Sequence, residues 1–134
     1  MRSAAPDHLA PFTARIEFRT SPAGIAAPAP VVAGLLNEIA KCCEQAGSSL
    51  IGHIKAHAKV ESDGLIIAFH CNLTDTRHGA RCAGNTLMTL EPGQRLRVDL
   101  AVLVYGLAKE NVEQIVRDSC RSIGGERSLD IEIQ

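Results

Sequence analysis

The stretch from Leu50 to Leu73 constrains the fold of this 134-residue chain more than any other segment. Apolar and polar residues alternate with a period of two from Gly52 to Val60, which is typical of a strand with one buried face. Glu61 to Gly64 supplies a turn, because Asp-Gly readily adopts positive φ. Leu65 to Leu73 then returns as a second strand, so the stretch predicts an antiparallel hairpin.

The register of this hairpin follows from its two faces. If Val60 lies opposite Leu65, the apolar side chains of both strands share one face, and a slip of one residue would mix the faces. This register places Lys55 near His70 and makes His57 a diagonal neighbour of His70. The polar face that results, rich in histidine and lysine, is the sharpest feature of the sequence.

Other strands are predicted by the same alternation. They run from Phe12 to Thr20, from Arg95 to Tyr105 and from Ser128 to Ile133. The second half of the Arg95 strand is apolar on both faces, which favours a central position in the sheet. The polar, glycine-rich segment 74–85 is expected to be a loop, and a short strand from Thr86 to Leu90 is left open and not counted in the order of elements.

Two amphipathic helices are predicted by apolar residues at three- and four-residue spacing. The first runs from Val31 to Ala46 and ends at Gly47, and the second runs from Lys109 to Ile123 and ends at Gly124-Gly125. Residues 1–11 are expected to form a loose arm, and residues 21–30, rich in proline and alanine, to form a connector across one end of the sheet.

The order βαβββαβ indicates an α+β fold in one domain, residues 1–134. Each helix has one apolar stripe and the strands offer one apolar face, so both helices are expected on the same side of a mostly antiparallel sheet. The expected architecture is a two-layer sandwich, a variant of the ferredoxin-like pattern.

Composition narrows the possible functions. The formal net charge of −1 and the scarcity of aromatic residues argue against a whole-protein nucleic-acid binder, although a basic face that binds nucleic acid stays an alternative. No phosphate-binding loop, dinucleotide fingerprint or Gly-x-Ser-x-Gly elbow is present.

The five cysteines, with Cys71 and Cys120 at apolar positions, are expected to be reduced. We therefore expect a cytoplasmic protein without a membrane span.

The uncovered sheet face is the candidate binding surface. It is expected to carry a basic row with apolar interruptions, made of His53, Lys55, His57, His70, Asn72, Arg97, Asp99 and Tyr105. Such a row is either simply solvated or an interface for a second copy of the chain or for a larger protein. A non-catalytic interaction or oligomerisation domain that works through this face, or through the His78–Cys82 loop, is the favoured interpretation.

A metal- or anion-binding site is the alternative. His57 and His70, with a third ligand from Asp99, His78 or Cys82, are the candidate donors for zinc or nickel. His53 and His57 lie about 13 Å apart along one strand and cannot share an ion. A nucleophilic Cys82–His78 pair is conceivable, but an ordinary loop is the simpler interpretation.

One segment resembles a known family. Val102 to Leu107, followed by Lys109-Glu110 and the helix from Val112 to Cys120, resembles the closing strand and helix in the C-terminal domain of CobW-like metallochaperone GTPases. Ile51 to Lys55 is similar to segments of accessory domains in that group. The nucleotide-binding half and the Cys-x-Cys-Cys motif of the family are absent. The resemblance implies a detached accessory domain that handles a metal or contacts a GTPase.

Overall fold

A computed structural model describes residues 5–20, 27–127 and 130–134 as one antiparallel sheet with two helices. The elements are β1 (Leu9–Arg19), α1 (Pro28–Gln45), β2 (Leu50–Ser62), β3 (Leu65–Leu73), β4 (Arg81–Gly84), β5 (Arg95–Tyr105), α2 (Lys109–Arg127) and β6 (Asp130–Ile133). The strand order is β4-β3-β2-β5-β1-β6, and every neighbouring pair is antiparallel. The predicted α+β class is confirmed, as is the central position of β5.

The helices and one face of the sheet form the core. Helix α1 packs on β2 and β3, α2 packs on β1 and β6, and the two helices contact each other. Alternate strand residues such as Ile16, Ile54 and Val98 are fully buried beneath the apolar helix residues Leu36 and Val116. Burying one stripe of each helix on one sheet face yields a two-layer arrangement. The opposite face, called the open face below, is left uncovered by the described helices.

The β2–β3 hairpin forms as predicted, but with a different register. The turn consists of Asp63 and Gly64 alone, with φ of 51° and 78°, so the strands extend closer to the turn than expected. Val60 lies opposite Ile67 instead of Leu65, and His57 lies directly opposite His70. The predicted register was therefore wrong by two residues, a shift that preserves the two faces.

The expected N-terminal arm is partly a strand. Strand β1 begins at Leu9, and Ala10 is buried in the core. Pro11 is tolerated because β6 pairs with β1 only from Ile16 to Arg19, so no described strand needs an amide proton from Pro11 on that side. Residues 1–4 and most of the predicted connector lie outside the described residues.

Two predicted helix boundaries and one strand are corrected. Helix α1 begins at Pro28, because a proline in the first turn sacrifices no helical hydrogen bond. Helix α2 continues through Gly124-Gly125 to Arg127, since glycine only weakens a helix and need not end it. Thr86 to Leu90 is not a strand, apart from an isolated bridge at Leu90, whereas β4 forms inside the expected loop. Neither described helix combines the length and apolar character needed to cross a bilayer.

Candidate binding face

Apolar side chains dominate one end of the open face. Tyr105 lies between Leu9 on β1 and Leu50 on β2, and Leu103 lies beside Pro11 in the next row. Leu50 is 60% exposed and Leu9 is 42% exposed. We call Leu9, Pro11, Leu50, Leu103 and Tyr105 the apolar end. Its side chains are contiguous because antiparallel partners stand side by side on one face.

A bulge in β2 shapes the edge of the apolar end. The register with β5 shifts between Ile51 and His53, so Gly52 is an extra residue in β2. A Cβ atom at Gly52 would lie 2.9 Å from the Leu103 carbonyl oxygen and 3.2 Å from Cε2 of Tyr105. Glycine is therefore needed where the Tyr105 ring crosses β2. The Nε2 atom of His53 is buried there, with no hydrogen-bond partner among the described residues.

A row of polar residues crosses the middle of the open face. His57 lies between Asp99 on β5 and His70 on β3, and Arg15 lies beyond Asp99. The Arg15 Nε atom donates to Oδ1 of Asp99 at 3.1 Å. The structure thus brings His57 and His70 closer than the sequence predicted and supplies Asp99 on the other side of His57.

The predicted binding residues share the open face, with His53 in the bulge. Lys55 lies opposite Asn72, Arg97 lies one row beyond Asp99, and Tyr105 lies at the apolar end. The face is not uniform, because its apolar and charged parts lie at opposite ends of the long strands.

The loop after β3 forms a second feature beside His70. Backbone and Nδ1 nitrogens of His78 both lie within 2.9 Å of the Asp75 carboxylate. Hydrogen bonds, first from the backbone N–H of His78 and then from its ring, lower the pKa of Asp75. A cavity of about 510 Å³ between this loop and the sheet is lined by His70, Asp75, His78 and Cys82, among others. The loop is held on α1, since the Ala80 amide donates to Asn37 at 2.8 Å.

Cys82 is not available as a ligand or nucleophile. It lies opposite Cys71 on the core side of β3 and β4, and the two form a disulfide. The expectation of a reduced Cys71 and the interpretations of Cys82 as a metal ligand or as the partner of His78 were therefore wrong. The argument for a cytoplasmic location assumed that all five cysteines are reduced, and the disulfide between Cys71 and Cys82 removes that support.

The metal set is not assembled. His57 and His70 project from the open face, whereas the Cys82 sulfur is oxidised and lies on the other side of the sheet. No group of three histidine, cysteine, aspartate or glutamate side chains in the described part of the chain is placed to hold an ion. The residues proposed for zinc or nickel therefore do not fit such a site.

The remaining cysteines are held as thiols in the helices. Cys43 and Cys120 are buried, and burial raises their pKa values to about 12 and about 11. Cys42 is partly exposed, and burial followed by its hydrogen bond with Glu38 raises its pKa. Because the thiolate is the reactive form, these cysteines are unsuited to nucleophilic catalysis.

Charged residues occupy the end of the open face opposite the apolar end. A shallow cavity of about 250 Å³ is lined by Glu17, Lys59, Val60, Glu61, Ile66, Arg95 and Arg97. Glu17 is only 8% exposed and is held at 3.0 Å by Nε of Arg19, at 3.1 Å by Gln134 and at 3.6 Å by Arg95. The Arg19 hydrogen bond lowers the pKa of Glu17 against the opposing effect of burial.

The lowered pKa of Glu17 predicts a loss of stability in acid. A carboxyl whose pKa is lower in the folded state than its ordinary value of 4.5 stabilises the fold above that value, and this contribution is lost as the pH falls through the folded-state pKa. Glu17→Gln should therefore lower the melting temperature near neutral pH and flatten its decline between about pH 5 and about pH 3. Thermal unfolding of both proteins across this range is the measurement. Glu61→Gln removes a carboxylate from the same face that forms no ion pair with any described side chain, so it should keep the wild-type slope. An equal flattening in both variants would contradict the assignment to Glu17.

Comparisons with known proteins do not assign this chain to a family. No protein family model, no curated protein and no solved structure matches the chain. The resemblance to CobW-like accessory domains therefore stays a prediction based on the strand–Gly–Leu–helix–Cys pattern.

Sequence reasoning missed parts of both ends of the face. Leu9 and Pro11 were assigned to the arm, although the alternation of Phe12, Ala14 and Ile16 extends backwards to Ala10 and would have placed them on the open face. Two of the partners of Glu17, Arg95 and Gln134, carried no local signal, because they are distant from it in sequence.

Proposed function

We propose that this chain is a non-catalytic α+β domain that associates with a second copy of itself through the open face. The observation that carries the proposal is the apolar end, where Leu9, Leu50, Leu103 and Tyr105 form one uncovered apolar cluster. Scattered exposed apolar residues are ordinary, but a contiguous cluster next to polar residues is typical of an interface.

The charge of the chain favours a copy of itself as the partner. A formal net charge of −1 generates little repulsion between two copies, and near-neutral proteins associate more readily than highly charged ones. The row across the middle of the open face carries both signs in Arg15 and Asp99, so two faces of the same kind need not oppose like charges. A two-fold contact would bury the apolar end of both copies at once.

Mutation of the apolar end should dissociate the assembly. Leu50→Asp and Tyr105→Asp each place a charge where apolar area would be buried, so we expect the wild type to have twice the mass of one chain and both variants the mass of one chain. Size-exclusion chromatography with light scattering at about 100 μM measures this, a concentration suited to micromolar association. Leu65→Asp is the matched control, because Leu65 is 69% exposed at the other end of the β2–β3 hairpin, and it should keep the wild-type mass.

Two results would contradict the proposal. A monomeric wild type at this concentration would exclude a second copy as the partner and leave a different protein as the occupant of the face. Equal dissociation by Leu50→Asp and Leu65→Asp would attribute the loss to added charge in general and not to the apolar end.

We also propose that the fold is an extended ferredoxin-like variant. This is supported by the four strands β6, β1, β5 and β2, in which β1 and β2 flank β5 and each helix links two strands that are not neighbours. Strands β3 and β4 would then be an addition at the β2 edge. The accessory-domain role implied by the CobW-like resemblance is compatible with association through the open face.

A further inference from the structure

Two positive side chains face each other at the charged end without a described partner. Lys59 on β2 lies directly opposite Arg97 on β5, and both line the cavity of about 250 Å³. Like charges directly opposite each other destabilise a sheet. Among the side chains that the structure describes, neither Lys59 nor Arg97 forms an ion pair.

The nearby carboxylates do not neutralise this pair. Glu17 lies beside Arg97, but its oxygens are engaged by Arg19, Arg95 and Gln134. Glu61 lines the same cavity and forms no ion pair with Lys59 or Arg97. The cavity is therefore lined by three cations and two carboxylates, and Lys59 and Arg97 form no ion pair with either carboxylate.

We propose that this cavity binds a small phosphate monoester. A phosphate monoester carries a charge of about −1.5 to −2 at neutral pH, which matches the Lys59 and Arg97 pair better than a single carboxylate does. The planar guanidinium of Arg97 suits two phosphate oxygens, and the ammonium of Lys59 acts as a point charge on a third. Ile66, 68% exposed at the rim, offers apolar contact to the organic group of the ester.

This site is independent of the proposed association. Leu9 at the apolar end and Glu17 at the cavity are eight residues apart on β1, or about 27 Å along the strand. The two proposals can therefore fail separately. The chain could associate through the apolar end without binding phosphate at the cavity, or bind phosphate without associating.

Titration calorimetry at low ionic strength tests the proposal with phenyl phosphate, inorganic phosphate and benzoate as probes. We expect phenyl phosphate to bind most tightly, and Arg97→Gln and Lys59→Gln to weaken it at least tenfold, as expected when a charge-assisted contact is lost. Glu61→Gln should tighten binding, because it removes a negative charge from the cavity lining. Lys55→Gln, which removes a positive charge from the same strand outside the cavity, should change the affinity less than twofold.

Several outcomes would overturn the proposal. Benzoate or inorganic phosphate binding as tightly as phenyl phosphate would exclude a monoester site, and equal losses in Lys55→Gln and Arg97→Gln would reduce the effect to general attraction. The absence of phenyl phosphate binding at millimolar concentration would also exclude the site. The Gln variants should melt no lower than the wild type without ligand, since they relieve repulsion, and a lower melting temperature would show that protein groups already neutralise the pair.

Discussion

Replacing Cys71 and Cys82 together by alanine should lower the free energy of unfolding by about 3 kcal/mol. The disulfide joins residues 11 positions apart, and closing a loop of that size in the unfolded chain accounts for about this much stabilisation. The bond also fixes β4 and the loop before it to β3, so the His70 cavity should be the first part to lose order. Urea unfolding followed by circular dichroism measures the loss.

A reducing agent supplies the control for the disulfide prediction. It should lower the midpoint of the wild type and leave that of the double variant unchanged, because Cys42, Cys43 and Cys120 are free thiols in both. Alkylation of the unfolded, unreduced protein should modify three cysteines. Modification of all five, with a midpoint that does not respond to reductant, would refute the bond.

Phe69→Ala should destabilise the fold by about 3–5 kcal/mol, the usual cost of deleting a buried phenylalanine. Phe69 is 1% exposed and belongs to the face of β3 that lies beneath α1. Because small proteins are stable by only about 5–15 kcal/mol, the loss is a large fraction of the total. The unfolding midpoint in urea, converted with a common slope, gives the value.

Leu65→Ala is the matched control for Phe69→Ala. Leu65 lies in the same strand but is 69% exposed, so its loss should change stability by less than about 0.5 kcal/mol. Similar losses in the two variants would contradict the assignment of Phe69 to the buried core.

Periodicity was enough to predict which face of each long strand is buried. Ile54, Ala56 and Ala58 alternate so regularly with polar residues that only one face can enter the core. The register of the hairpin could not be predicted in the same way, because a shift of two residues leaves the faces unchanged. The number of residues in the turn decided it, and both Asp63-Gly64 and the longer Glu61–Gly64 turn fit the local sequence.

Features that depend on distant residues were not predictable. Strand β4 has only four residues and no apolar alternation, and it is defined by its ladder to β3 and by the Cys71–Cys82 bond. The same bond removes Cys82 from the predicted set of metal ligands. It could not be predicted, because a cysteine on a core-facing strand looks the same in sequence whether it is reduced or disulfide-bonded. The Lys59–Arg97 pair was likewise not predictable, because it depends on β2 and β5 being neighbours in the sheet.

Strand β6 pairs with only the last part of β1, and this limits the kinds of assembly that the molecule can form. It leaves the main chain of β1 before Arg15 without a described partner on that side, and an unpaired strand of this kind can recruit strands from other molecules without limit. Pro11 interrupts this stretch with a residue that has no amide proton to donate. Growth into fibres by strand addition at this edge is thereby hindered, which is compatible with the closed dimer that we propose.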